Sequence, residues 1–177
     1  MRADGTRTGA GPLTGAGPLI YAHRGSARLA PENTALAFDL ALRLGADVLE
    51  TDVRLSRDGV AMVVHDARLE RTTDGRGRVR EHTAVRLGAL DAGARFVDPE
   101  GRAWRGRGAR IEPLDTLLER YPDTPVNIDI KDADGAAVDA VAASLERRPG
   151  TATVTVGSFH ERVLRRFRER APEVPTA

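Results

Sequence analysis

Short apolar runs alternate along this chain with longer segments whose apolar residues recur at helical spacing. Leu19–Ala22 is the first run, and His23-Arg24-Gly25 follows it directly. Pro31-Glu32-Asn33-Thr34 then opens an Ala/Leu-rich stretch that predicts a helix through about Leu44, with Asn33 or Thr34 as N-cap and Gly45 as the stop. Asp47–Leu55 predicts a strand, Arg57-Asp58-Gly59 a turn, and Val60–His65 the next strand. Residues 66–112 show no sustained period, are rich in Arg and Gly, and read as an insertion after the third strand. Beyond them the pattern resumes: Pro113–Arg120 helix, Val126–Lys131 strand, Ala136–Arg147 helix, Thr153–Gly157 strand and His160–Arg170 amphipathic helix. A sixth strand begins near Val174. Alternation of this kind predicts an α/β fold with a parallel sheet or barrel, spanning residues 19–177. Residues 1–18, dominated by Gly, Ala, Thr and Pro, predict a flexible tail.

Polar residues sit where strands of such a fold should be apolar. Parallel strands are covered on both faces and read as nearly continuous apolar runs. Glu50 and Asp52, two apart, share one strand face, and Asn127, Asp129 and Lys131 repeat that spacing while Val126, Ile128 and Ile130 face away. With His23 and His65 directly after their apolar runs, these groups fall at or near the C-terminal ends of strands, where barrel active sites form. Three carboxylates gathered there need compensation, because a buried unpaired charge costs several kcal/mol. A hard divalent cation, Mg²⁺ or Ca²⁺, supplies it, since all-oxygen ligation suits these ions better than Zn²⁺. Pairing of Glu50 or Asp52 with one of the many arginines supplies it too. Two imidazoles beside such an ion suit a general acid and a general base. With Arg24 and Lys131 beside them, the set predicts hydrolysis of a phosphodiester. His82, in the insertion, and His160, at a helix start, read as structural.

Composition narrows this reading. The chain has 177 residues, 41% of them hydrophobic but only 4% aromatic, and no cysteine, so disulfides and thiolate chemistry are excluded. The 27 basic residues nearly balance 26 acidic ones for a net charge of +1, which argues against a nucleic-acid partner. All the basic residues but one are arginine, and the exception is Lys131. A lone lysine two residues from a candidate ligand, on the same strand face, points to a role for a compact ammonium. No stretch reads as a secretory leader or a transmembrane segment, so the expected compartment is the cytoplasm.

The ordered series of motifs resembles the glycerophosphodiester phosphodiesterases. It comprises His23-Arg24-Gly25, Pro31-Glu32-Asn33-Thr34, Glu50-Thr51-Asp52, Asp58-Gly59, His65-Asp66, Leu69–Thr73, Leu90–Gly93, Asp129-Ile130-Lys131 and Ser158-Phe159. The resemblance implies a TIM (β/α)₈-type barrel that cleaves a small glycerophosphodiester to an alcohol and sn-glycerol 3-phosphate. It implies His23 and His65 as the acid/base pair, and Glu50, Asp52 and Asp129 as ligands of the divalent cation. Arg24 and Lys131 take the place of the phosphate-binding cations. Asp129 departs from the family's frequent Glu, which shortens that arm by one methylene. The 66–112 stretch matches an insertion over the barrel mouth, where Phe96 and Trp104 form a local mini-core or line the alcohol side.

Length qualifies the fold. A complete barrel of this kind takes about 250 residues, so the resemblance implies an incomplete member with five to six of the eight strands. Its open edge leaves unpaired backbone that an oligomer could cover. Two other readings stand beside the leading one: a related phosphodiesterase acting on lysophospholipids, and an inactive barrel fragment acting as a binding module.

Overall fold

A computed structural model describes residues 18–148 and 153–177. The tail expected at residues 1–18 lies almost wholly outside the described residues. Five strands form one sheet: β1 (Tyr21–Ala22), β2 (Val48–Leu55), β3 (Ala61–Val63), β4 (Val126–Ile130) and β5 (Val154–Gly157). Four of them run parallel in the order β1-β2-β4-β5, with helices α1 (Ala35–Arg43), α3 (Leu114–Arg120), α4 (Gly135–Arg147) and α5 (Glu161–Arg170) in the connections or after the last strand. A parallel bridge from Val156 to Thr176 starts the next strand, near the expected position.

The strand expected at Val60–His65 is shorter, and it runs antiparallel to β2, pairing Val53 with Val63 and Leu55 with Ala61. The reason is the connection. Ser56 N–H donates to the Val60 carbonyl, the Ser56 hydroxyl donates to Asp58, and Gly59 takes the positive φ of 79° that closes the turn. So tight a turn joins only antiparallel neighbours, because a parallel return needs a crossover. β3 is therefore a hairpin arm on β2, and the 66–112 insertion lies between the second and third parallel strands.

Helix α1 begins where its residues demand. Thr34 is the N-cap, accepting from Ala37 N–H and donating to the Pro31 carbonyl, and Gly45 follows the last turn at φ 91°. Its Phe38 and Ala41 join Leu49, Val53, Ile128, Ile130, Val156, Val138 and Phe167 in the core between sheet and helices. Burying each large side chain there contributes about 1.5–3 kcal/mol. The insertion is better ordered than its sequence suggests. Met62, Val64, Leu69, Val79, Leu87, Leu90 and Ile111 form a second core, flanked by the short helix α2 (Ala84–Gly88). Phe96 and Trp104, both half-buried, pack edge to face at 6.0 Å and belong neither to that core nor to the lining of the cleft at the strand ends.

Candidate active site

The parallel strands end in a cleft of about 720 Å³ that is lined by His23, Arg24, Glu50, His65, Asp129 and Lys131, together with Tyr21, Asn127, Ser158 and Phe159. Six of the seven residues singled out by sequence thus meet at one place. The seventh, Asp52, lies just beneath the cleft floor and is fully buried.

Register brings the carboxylates together. β2 and β4 pair Glu50 with Asn127 and Asp52 with Asp129, so the two aspartates are cross-strand neighbours. Lys131, one pleat further on, reaches back with Nζ 2.9 Å from Asp52 Oδ1 and 2.6 Å from Asp129 Oδ2. Its pKa is raised: burial works to lower it, but the two carboxylates win. On the other side Arg24 Nε lies 3.0 Å from Asp52 Oδ2. The arginine pairing anticipated for the Glu50-Thr51-Asp52 segment is therefore realised at Asp52.

Arg24 is held in an uncommon backbone conformation, with φ 53°, and its N–H donates to Glu50 Oε2 at 2.7 Å. The turn is possible because Gly25 follows at φ 77°. A Cβ there would stand 2.7 Å from the Ala37 backbone. Asn33, the other non-glycine residue with positive φ (55°), locks the same corner among the described residues. Its N–H donates to the Arg24 carbonyl and its amide Nδ2 to Asp52 Oδ2, while Oδ1 accepts from Thr51 Oγ1 and Asp52 N–H. The sequence offers Asn33 as a motif residue and as an alternative N-cap, but Thr34 is the cap and the polar contacts of Asn33 give the Pro-Glu-Asn-Thr motif its physical content.

His65 and His23 differ in support. His65 Nδ1 lies 2.6 Å from Asp66 Oδ1, and Asp66 has its pKa lowered to about 2, chiefly by a hydrogen bond from Arg71. An ionised carboxylate only accepts, so His65 Nδ1 is the donor and the lone pair of the neutral ring sits on Nε2. The His65 carbonyl is fixed as well, by Arg54 Nε at 2.6 Å, and Arg54 is in turn paired with Asp132 at 2.7 Å. His23 is exposed on the cleft wall. His82 Nε2 donates to the Arg76 carbonyl within the insertion, away from the cleft, and His160 stands at the N-cap of α5 without a capping hydrogen bond. Phe159 is 90% exposed at the mouth, with its ring centroid 5.3 Å from Lys131 Nζ.

The donor set suits a hard cation, although among the described residues no three carboxylates or imidazoles are drawn together closely enough to cage one. Asp129 Oδ1 is buried with no hydrogen-bond partner. Burial, abetted by Asp52 and opposed by the Arg24 N–H, pushes the Glu50 carboxyl up to about 7. Both observations mark oxygens that lack a positive partner, the environment that an oxygen-ligated divalent ion satisfies.

Comparison with known proteins agrees with this geometry. A glycerophosphodiester phosphodiesterase of Bacillus subtilis is 32% identical over 177 residues, covering 93% of this chain and 60% of its own length. The crystal structure of a glycerophosphodiester phosphodiesterase from Agrobacterium tumefaciens superposes with a TM-score of 0.73 at 39% identity, covering 89% of this chain and 65% of that one. An Oleispira antarctica phosphodiesterase, solved with its product sn-glycerol-3-phosphate, gives a TM-score of 0.78 at 31% identity over 90% of this chain and 64% of its own. The chain thus spans about 60–65% of the length of these relatives, and its four parallel strands form part of their barrel. The profile of the glycerophosphoryl diester phosphodiesterase family matches residues 23–177, nearly everything from the first histidine onward, and the chain belongs to that family.

Proposed function

We propose that the chain carries the catalytic cleft of a metal-dependent phosphodiesterase that hydrolyses glycerophosphodiesters to an alcohol and sn-glycerol 3-phosphate. The observation that carries this reading is the meeting of two histidines, Arg24 and Lys131 with carboxylates in one cleft at the C-terminal ends of the parallel strands. The product complex of the Oleispira relative supports the same substrate class.

The roles follow from the supports. His65, with its proton fixed on Nδ1 by Asp66, offers Nε2 as general base to the attacking oxygen, either water directly or the substrate's glycerol 2-hydroxyl, whose cyclic phosphate water then opens. His23, on the cleft wall, protonates the departing alkoxide. Arg24 and Lys131 face the phosphoryl oxygens, where negative charge builds. Glu50 and Asp129, with Asp52 beneath them, would hold a divalent cation, Mg²⁺ or Ca²⁺, which when bound would offset charge on the phosphoryl oxygens. Asp52 keeps Arg24 and Lys131 aimed at the cleft.

The test is release of sn-glycerol 3-phosphate from glycerophosphocholine, followed with and without EDTA. Product formation that EDTA abolishes and Mg²⁺ or Ca²⁺ restores is the expected result. A folded sample that releases no product, or one indifferent to EDTA, overturns the proposal as stated.

A further inference from the structure

We propose that Arg71 is a positioning residue that ties the His65–Asp66 pair to the Glu32–Arg24 pair, holding the general base and the phosphate-binding arginine in one register. The inference rests on the roles assigned above to His65 and Arg24. It concerns a residue that touches neither the substrate cleft nor the core.

Arg71 comes from the insertion, six residues after His65, and its guanidinium is shared between two carboxylates from distant parts of the chain. Nη1 and Nη2 grip both oxygens of Glu32 at 2.8 and 2.7 Å, across 39 residues of sequence. Nε and Nη2 meet both oxygens of Asp66, at 2.5 and 3.1 Å. Each carboxylate then passes the contact on: Glu32 Oε1 accepts from Arg24 Nη1 at 3.1 Å, and Asp66 Oδ1 accepts from His65 Nδ1. The result is a continuous path Arg24–Glu32–Arg71–Asp66–His65. Only a planar fork of donors closes it, because an ammonium cannot present two parallel pairs to two carboxylates at once.

Stability alone does not account for the arrangement. Arg71 is half exposed, and exposed ion pairs contribute little to stability. The partners are the better-buried ends, with Glu32 17% and Asp66 25% exposed. Glu32 is kept ionised against the pull of burial, with Arg71 the first of the groups that lower its pKa. A guanidinium that is itself loosely packed, yet engages all four oxygens of two partly buried carboxylates, fixes their directions. Direction is what His65 needs, since Asp66 selects the ring nitrogen that carries the proton.

The experiment compares wild type with Arg71→Ala and Arg71→Lys in two readouts, after a thermal melt has shown each variant folded. Glycerophosphocholine turnover is expected to fall about ten- to a hundredfold in kcat, as for lost orienting partners generally, with a smaller rise in KM. Arg71→Lys restores the charge and not the fork, so it is expected to share the loss. The second readout is the ¹⁵N signature of His65 at a pH where the ring is neutral, assigned by its absence in His65→Ala. Wild type is expected in the Nδ1–H tautomer, and both variants shifted toward Nε2–H. Wild-type kcat in either folded variant, or an unchanged tautomer, overturns the proposal. Should the wild-type chain release no product, the hydrolytic reading fails, while the tautomer comparison still decides whether Arg71 orients His65.

Discussion

Asp52 and Asp129 stand opposite one another in register across β2 and β4, and the chain's one lysine is folded back between them. Two carboxylates that close and that buried repel unless a cation separates them. Lys131→Met removes it and is expected to cost about 3–5 kcal/mol, the usual consequence of leaving a buried charge unpaired. Lys131→Arg keeps the charge, so it retains most of the stability, but its bulky planar head does not fit a point-charge position. It is expected to lose at least about tenfold in kcat/KM, or ~1.4 kcal/mol of transition-state stabilisation. Urea melts and steady-state kinetics separate the two effects. Wild-type kinetics in Lys131→Arg would mean that the survival of one lysine among the arginines has no catalytic cause.

A divalent cation should be visible without any turnover. Asp129 Oδ1 is buried and unpartnered, so Mg²⁺ or Ca²⁺ is expected to raise the melting temperature. At a hundred times its Kd, the ion contributes about 2.7 kcal/mol. Asp129→Asn removes the charge at nearly constant shape and is expected to abolish most of that shift. Equal shifts in both proteins would place the ion elsewhere.

His23→Ala and His65→Ala are each expected to lower kcat by about a hundred- to ten-thousandfold, the range for loss of a positioned acid or base. Both side chains line the cleft and neither belongs to the core, so circular dichroism should show both variants folded, with His65→Ala losing only the stability of its Asp66 contact. A variant with wild-type kcat removes that histidine from the mechanism.

Much of this site is readable in the sequence, and the reasons are physical. Polar residues two apart on strands of a parallel sheet share a face, so Glu50 with Asp52 and Asp129 with Lys131 had to point the same way. Thr34 and Gly45 bound α1 because cap and stop chemistry is local. The antiparallel direction of β3 is set by the tight turn at Asp58-Gly59, which the alternation of strands with helices does not reveal. The second core is not legible in the pattern because Leu69, Val79, Leu87 and Ile111 come from stretches without a period. That Arg24 is the arginine paired with Asp52 rests on a fold-dependent contact, and local pattern does not choose among so many arginines.

Acid stability should report on Asp66. Its folded-state pKa is depressed to about 2, first by the Arg71 hydrogen bond and then, against burial, by His65. A depressed carboxylate contributes stability that is fully present above its unfolded value of about 3.9 and is lost as pH falls through its folded value. Asp66→Asn is therefore expected to flatten the fall in stability between about pH 4 and 2. Partial exposure screens the effect to about 1–2 kcal/mol. Denaturant melts across that window measure it, and an unchanged slope in Asp66→Asn would show that the pairing is not maintained in solution.

Asn33→Asp changes one amide nitrogen to oxygen, and its effect should be out of proportion to its size. Asn33 is 4% exposed, and its Nδ2 donates to Asp52 Oδ2 at 2.9 Å. The aspartate keeps the acceptor that Thr51 and the Asp52 N–H use, so those hydrogen bonds and the left-handed backbone remain feasible. What changes is that a second carboxylate oxygen now faces Asp52, without a donor between them. Arg24 and Lys131 already serve Asp52 and cannot neutralise another charge. The expected cost is about 3–5 kcal/mol, as for other uncompensated buried charges. Asn33→Ala, which removes the acceptor for Thr51 and the Asp52 N–H as well but adds no charge, should cost about 1–3 kcal/mol. The order of the two variants in urea melts is the discriminating result. If Asn33→Asp proved as stable as Asn33→Ala, the corner between β1 and β2 would have to be wet enough to solvate the added charge.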